Sequence, residues 1–209
     1  PEGTVHSELL RRPGKLYVLA SHFHPDHFNK EVLQWREQRP DIIYIFSKDI
    51  LRHRRAQKED AVWLKKGEEY KDETLSVRAF GSTDVGVSFL LQASGKKIFH
   101  AGDLNNWHWM DESTEAEWKG AEKNFLHELD DLYAYTPEVD VAMFPVDPRL
   151  GKEYMRGAGQ FVTKIKTHIF VPMHFTPEYA KANAFRDFAE AHGVRFVSLT
   201  HRGQKIEIE

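Results

Sequence analysis

Within six residues, His22-Phe23-His24-Pro25-Asp26-His27, the chain carries four side chains able to bind a metal ion. They directly follow residues 15–20 (KLYVLA) and Ser21; the apolar run comes after a Pro-Gly turn and reads as a buried strand. A loop leaving the end of such a strand can turn several side chains onto one point. Imidazoles and a carboxylate are the N and O donors that Zn2+, Mn2+ or Fe2+ accept. Pro25 restricts the backbone between the second His and the Asp. Without a metal, each of these polar groups would need another partner at the strand end. The alternative is a solvent-exposed His-rich loop. The chain has no cysteine, so disulfides are excluded and a transition-metal site must use His and carboxylates.

The rest of the chain alternates between the two periodicities. Helical spacing over 30–39 stops at Pro40, and residues 42–46 form a second buried strand. A charged helix is expected over 48–60, then strands at 74–80, 85–93 and 96–100. A long helix over 112–132 leads to a strand at 139–144 that ends at Pro145, a helix over 154–165 and a strand at 168–171. An amphipathic helix spans 177–192, with Pro177 at its start and Gly193 past its end, and strands at 194–199 and 204–208 close the chain. Strands alternating with helices imply a layered α/β fold, and the hairpin-like strands in the middle imply mixed sheets. With no repeat or linker, residues 1–209 read as a single domain.

The HxHxDH pattern of His22, His24, Asp26 and His27 resembles the signature of the metallo-β-lactamase superfamily. Two further segments follow in that family's order. Phe99-His100-Ala101-Gly102-Asp103 resembles the segment whose Asp bridges two metals, and Val171-Pro172-Met173-His174-Phe175 resembles the one that carries the last ligand of the second metal. The resemblance spans nearly the whole chain. It is greatest to the branch that holds ascorbate-6-phosphate lactonase-like proteins and phosphodiesterases acting on N-acyl phospholipids. It implies an αββα sandwich of mixed sheets with a metal cleft at the strand ends. It implies that His22 and His24 hold one metal, that Asp26, His27 and His174 hold a second, and that Asp103 bridges them. The implied cofactor is one or two Zn2+ ions, with Mn2+ or Fe2+ as alternatives. The implied activity is hydrolysis of a phosphoester, cyclic phosphodiester or lactone by a hydroxide that the metal activates by lowering the pKa of water. Asp26 belongs to the expected catalytic set.

The pattern departs from the family at two places. In Phe80-Gly81-Ser82-Thr83-Asp84-Val85-Gly86, Ser82 stands where a further His of the first metal is usual, and a neutral Ser is a poor zinc ligand. Asp84 can turn in as an oxygen ligand, which favours a harder metal. Alternatively the first site fills only with substrate present, or one metal is held by Asp26, His27, Asp103 and His174. Asp84 as ligand or water-holder is the reading adopted. Only 21 residues precede His22, where family members carry two or more strands, so the sandwich is expected to lack N-terminal strands and to expose a sheet edge.

Trp107-His108-Trp109 closely follows Asp103. Its indoles either wall a substrate cleft or pack in the core, and His108 is a candidate catalytic proton donor. His100 reads as a core or supporting residue, and Asp147, at another strand end, is a candidate for the cleft rim. His6, His53, His127, His168, His192 and His201 have no motif around them and read as structural or surface residues. The formal net charge of −3 argues against a nucleic-acid partner, because counterion release needs a basic face. No run approaches the roughly 20 apolar residues that span a bilayer. The expected partner is a small molecule, phosphorylated or a lactone, and a cytoplasmic setting fits a chain without cysteine. A degenerate, non-catalytic metal- or ligand-binding member of the same fold is the second reading of function.

Overall fold

The computed structural model describes residues 7–207; His6 and Ile208 lie outside them. In chain order the elements begin with α1 (Ser7–Leu10), β1 (Tyr17–Ala20), a 3-10 helix (Lys30–Glu37), β2 (Ile43–Ser47) and α2 (Lys48–Arg52). A 3-10 turn (Lys58–Asp60) precedes β3 (Val62–Leu64), β4 (Glu69–Lys71), β5 (Ser76–Phe80), β6 (Ser88–Ala93) and β7 (Lys96–His100). Then come α3 (Glu115–Tyr135), β8 (Glu138–Pro145), a 3-10 segment (Pro148–Glu153) and α4 (Arg156–Lys164). The last elements are β9 (Lys166–Met173), α5 (Tyr179–Asn183), α6 (Arg186–Ala191) and β10 (Arg195–Phe196).

β1, β2 and β3 form a parallel three-stranded sheet, with Val18 opposite Tyr44 and Ile45 opposite Val62. The other sheet has seven strands in the order β10-β9-β8-β7-β6-β5-β4. It is antiparallel from β4 to β7 and parallel from β7 to β10. Side chains alternate across a strand, and this alternation assigns the layers. Ile43 and Ile45 of β2 pack with Val77, Val87 and Phe89 of the larger sheet, so the two sheets face each other. Tyr44 and Phe46 point the other way, onto Phe28, Ile50 and the 3-10 residues Val32, Leu33 and Trp35. On the outer face of the larger sheet, Leu90, Phe99, Phe144 and Phe170 pack against Phe125, Leu129 and Leu132 of α3 and Phe161 of α4. Helix, sheet, sheet and helix thus lie in four layers. Burying each large apolar side chain contributes roughly 1.5–3 kcal/mol.

The smaller sheet leaves part of the larger one's inner face to a separate cluster, Val141, Ile169, Val171 and Val197. β1 is the edge strand there, and an apolar cavity of about 290 Å³ lies beside it, lined by Leu19, Phe89, Leu91, Ile98, His100 and Met143 with Ser21.

Several elements differ from the sequence expectation, each for a local reason. The 48–60 helix stops at Arg52, and Arg54 takes a left-handed φ of 55° that an α-helix cannot continue through. The 30–39 segment winds as a 3-10 helix. The 177–192 helix is two pieces. At the break, Asn183 donates from Nδ2 to the Leu199 carbonyl and accepts the Leu199 N–H at Oδ1, which ties this point to the segment after β10. The strands expected at 194–199 and 204–208 shrink to β10, with residues 204–207 outside any strand.

Candidate metal centre

Four strand ends converge at one rim. The Ser21 carbonyl accepts the Val87 N–H at 3.0 Å, tying the end of β1 to the start of β6. Two glycines allow the close approach. A Cβ at Gly86 (φ 76°) would overlap the Ser21 carbonyl oxygen, and one at Gly102 (φ 56°) would come 2.9 Å from Ser21 Cβ and 3.0 Å from the Val87 oxygen. The parallel ladder runs on past the strands, Ala101 N–H to Met143 O and Val146 N–H to Met173 O, both at 3.0 Å. Asp103, Asp147 and His174 are thereby delivered to the same rim. Within the motif, the His24 carbonyl accepts from the N–H groups of His27 (3.0 Å) and Phe28 (2.8 Å), a tight turn that brings the His22 and His27 rings to 4.0 Å. Phe23 N–H donates to Asp49 Oδ2 at 3.1 Å, anchoring the backbone between the first two histidines. His174 sits at φ 61°, a strained conformation for a non-glycine residue and one that clusters at functional sites.

Asp103 is the centre of the arrangement. Its Oδ2 lies 3.3 Å from His22 Nε2, while Oδ1 lies 3.1 Å from His27 Nε2 and 3.3 Å from His174 Nε2. Asp84 Oδ2 is 3.6 Å from His24 Nδ1, and Asp26 Oδ2 is 3.5 Å from His27 Nε2. Two groups of donors form, His22, His24, Asp84 and Asp103 in one and Asp26, His27 and His174 in the other, with one ligand atom of each residue within 4.8 Å of the others in its group. Donors bound tetrahedrally at ~2.0–2.1 Å stand roughly 3.3 Å apart, and these spacings fall around that value. His22 Nε2 supplies an independent check. It is buried and has no hydrogen-bond partner among the described residues, an orphan that a metal ion would satisfy. The residues present therefore fit a divalent metal site.

At His22 and His27 the electrostatics agree with that fit, and at His174 an ion would have to displace a proton held by two carboxylates. Burial pushes the His22 and His27 imidazoles below their ordinary range, towards the neutral form that a metal requires. At His174 burial acts in the same direction, but the flanking carboxylates of Asp103 and Asp147 outweigh it and push the imidazole up to about 9. Burial alone would raise Asp103; the surrounding histidines hold it below the usual carboxylate range.

A supporting shell surrounds the donors. Ser21 Oγ lies 3.1 Å from His22 Nδ1 and 3.4 Å from His27 Nδ1, so one hydroxyl serves the rear nitrogen of both rings. Asp147, fully buried, contacts His174 Nδ1 at 2.9 Å and pairs with Arg149. Thr83 Oγ1 accepts the Asn105 N–H at 2.9 Å and donates to the Asn105 carbonyl at 2.6 Å, pinning the loop of Asp84 to the loop after Asp103. A cleft of about 300 Å³ opens at the centre, lined by Thr83, Asp84, Asp103, Trp107, Trp109, Arg149 and His174. Trp107 and Trp109 wall it, their rings 6.4 Å apart and nearly parallel at 16°. His108 is not among the lining residues. It is buried, its Nδ1 accepts the Met110 N–H and its Nε2 lies 3.1 Å from the Glu153 carbonyl, so both ring nitrogens are engaged by backbone. His100 likewise turns inward, its Nδ1 accepting the Gly102 N–H. Sequence reasoning did not single out Ser21, Thr83 or Arg149. The adjacent signals were Ser21 beside the first His and Arg149 two residues past a strand-end Asp.

Residues 6–175 match the beta-lactamase superfamily domain family. The chain belongs to this family. Several solved structures share the architecture at low identity. Igni18, a metallo hydrolase from the archaeon Ignicoccus hospitalis, is 18% identical with a TM-score of 0.60, over 88% of this chain and 76% of that one. Zn(2+)-bound PqqB from Methylobacterium extorquens is 16% identical with a TM-score of 0.51, over 87% and 70%. CmlA, a diiron beta-hydroxylase from Streptomyces venezuelae, is 14% identical with a TM-score of 0.58, over 90% of this chain and 44% of that one. At these identities the likeness establishes the metallo-β-lactamase fold and leaves the chemistry to the site. No curated protein matches the chain. No helix among the described residues is long and apolar enough to cross a membrane.

Proposed function

We propose that this chain is a metal-dependent hydrolase acting on a phosphoester, cyclic phosphodiester or lactone. The observation that carries the reading is Asp103, a carboxylate with imidazole nitrogens of His22, His27 and His174 at 3.1–3.3 Å. His22, His24 and Asp84 would hold one ion, Asp26, His27 and His174 a second, and Asp103 would touch both. Zn2+ suits the imidazoles, and the oxygen of Asp84 also suits Mn2+ or Fe2+. When bound, such ions act as Lewis acids and bring the pKa of a water near 7.

The chain's own residues do the rest. Asp147 receives the His174 Nδ1–H and so keeps the Nε2 lone pair aimed at the centre. Ser21 does the same for His22 and His27. Asp26, exposed beside His27, is assigned the proton-accepting role at its carboxylate. Arg149 and the two indoles bound the space a substrate occupies. His108, with both nitrogens engaged, takes no part in this assignment.

The test strips the protein with a chelator, reloads it with Zn2+, Mn2+ or Fe2+ singly, and assays a phosphodiester, a cyclic nucleotide and a lactone. Turnover of one class, abolished by chelator and restored by metal, is the expected result. Folded, metal-loaded protein that hydrolyses none of the three would overturn the hydrolase reading in favour of a degenerate binding role. The Ser21 assignment has its own test. Ser21→Ala is expected to weaken metal affinity about 10–100-fold, the usual cost of losing a residue that orients ligands. Chelator competition measures it, and unchanged affinity would make Ser21 a packing residue only.

A further inference from the structure

Arg149 is the one Arg or Lys among the residues lining the cleft. Its guanidinium is held from behind. Nε lies 3.0 Å from both oxygens of Asp147, and Nη2 lies 2.6 Å from Oδ2. Asp147 is fixed in turn, 0% exposed and bonded to the Arg149 N–H and to His174 Nδ1. Despite this bidentate pairing, the Arg149 side chain remains 54% exposed. The Nη1 end takes no part in these contacts. An arginine serving only to neutralise a buried carboxylate has no need to present itself to a cleft. One that is clamped along one edge and open at the other is pre-organised for a planar, two-toothed acceptor.

The charge balance points the same way. Asp26, Asp84, Asp103 and Asp147 with Arg149 sum formally to −4 + 1 = −3. Two divalent ions would bring the loaded centre to +1, and to zero with a hydroxide bound, so it would no longer repel an anion. Trp107, which also lines the cleft, is fixed by its Nε1–H bond to the Asp103 carbonyl (2.8 Å) and stands edge-on to His174 at 5.4 Å.

We propose that Arg149 is the specificity residue of this cleft, binding a phosphate or carboxylate carried next to the scissile bond while the apolar remainder of the substrate lies on Trp107 and Trp109. This inference rests on the metal-centre reading above. It narrows the substrate to an anionic ester or lactone and excludes a neutral one.

The test is calorimetric titration of metal-loaded protein with inorganic phosphate and, separately, with acetate, for wild type, Arg149→Gln and Arg149→Lys. Metal content is measured on each sample by elemental mass spectrometry. Arg149→Gln is expected to keep its metal and to bind at least one of the two anions tenfold or more weakly, with Arg149→Lys in between; the anion affected more identifies the group. Equal affinities for both anions in wild type and Arg149→Gln, at equal metal content, would overturn the proposal. Loss of metal from Arg149→Gln would also overturn it, assigning Arg149 to holding Asp147. Wild type that takes up no metal is a different failure, that of the metal centre itself.

Discussion

Asp103→Ala is expected to empty both halves of the metal centre together. Elemental analysis should show bound metal falling from near two equivalents to below half of one. Activity as kcat/KM should fall by about three orders of magnitude or more, ~4 kcal/mol of transition-state stabilisation. The reason is geometric. Among the described residues Asp103 is the carboxylate that contacts imidazoles of both groups, through Oδ2 towards His22 and through Oδ1 towards His27 and His174. Remove it and these imidazoles face one another with no anion between them, around a charge that nothing else at that position offsets. Asp103→Asn keeps the shape and removes only the charge, so it separates the two contributions. It should retain the fold and still lose most of its metal. Two equivalents bound by Asp103→Ala would show that the ligands lie elsewhere, and the reading of this centre would fall with it.

How much of this was legible beforehand depends on which interactions are local. Largely buried strands leave mostly apolar runs, and those at 42–46, and at 139–144 with Asp140 as its one charge, became β2 and β8. β3 and β4 are three residues each, too short for a periodic signal, and they owe their pairing to neighbours already in place. The bond of Asn183 to Leu199, between α5 and α6, could not be read because the two residues are 16 apart in the chain. The donors divide in the same way. His22, His24, Asp26 and His27 share one turn, and Asp103 and His174 end strands, so chain position exposes them. Ser21 and Arg149 have roles that exist only through the partners the fold supplies, two imidazoles for one and a buried carboxylate for the other. His108 misled because proximity to Asp103 in sequence says nothing of which way its ring turns. The chain reverses within residues 103–110 and sends it to the Glu153 carbonyl.

Asp84→Ala is expected to remove one metal equivalent and leave the other. Asp84 stands in the loop where Ser82 replaces a usual histidine, and its carboxylate reaches to 3.6 Å from His24 Nδ1. Ser82 itself contributes to the turn, its Oγ accepting the Asp84 N–H at 3.4 Å. The side chain of Asp84 is 44% exposed, so its loss should change folding stability by no more than about 0.5 kcal/mol. That separation gives the experiment its force: a large change in metal content, with the melting temperature of the chelator-stripped protein unchanged, points to a ligand, because a structural residue would move the metal-free protein too. The donors left behind, Asp26, His27, His174 and Asp103, still make a complete set for one ion. Activity should fall with the first ion, and Asp84→His should restore the metal with a shift from Mn2+ or Fe2+ towards Zn2+, since an imidazole replaces a harder oxygen. One equivalent in both wild type and Asp84→Ala would instead mean a vacated first site and mononuclear chemistry at His27 and His174.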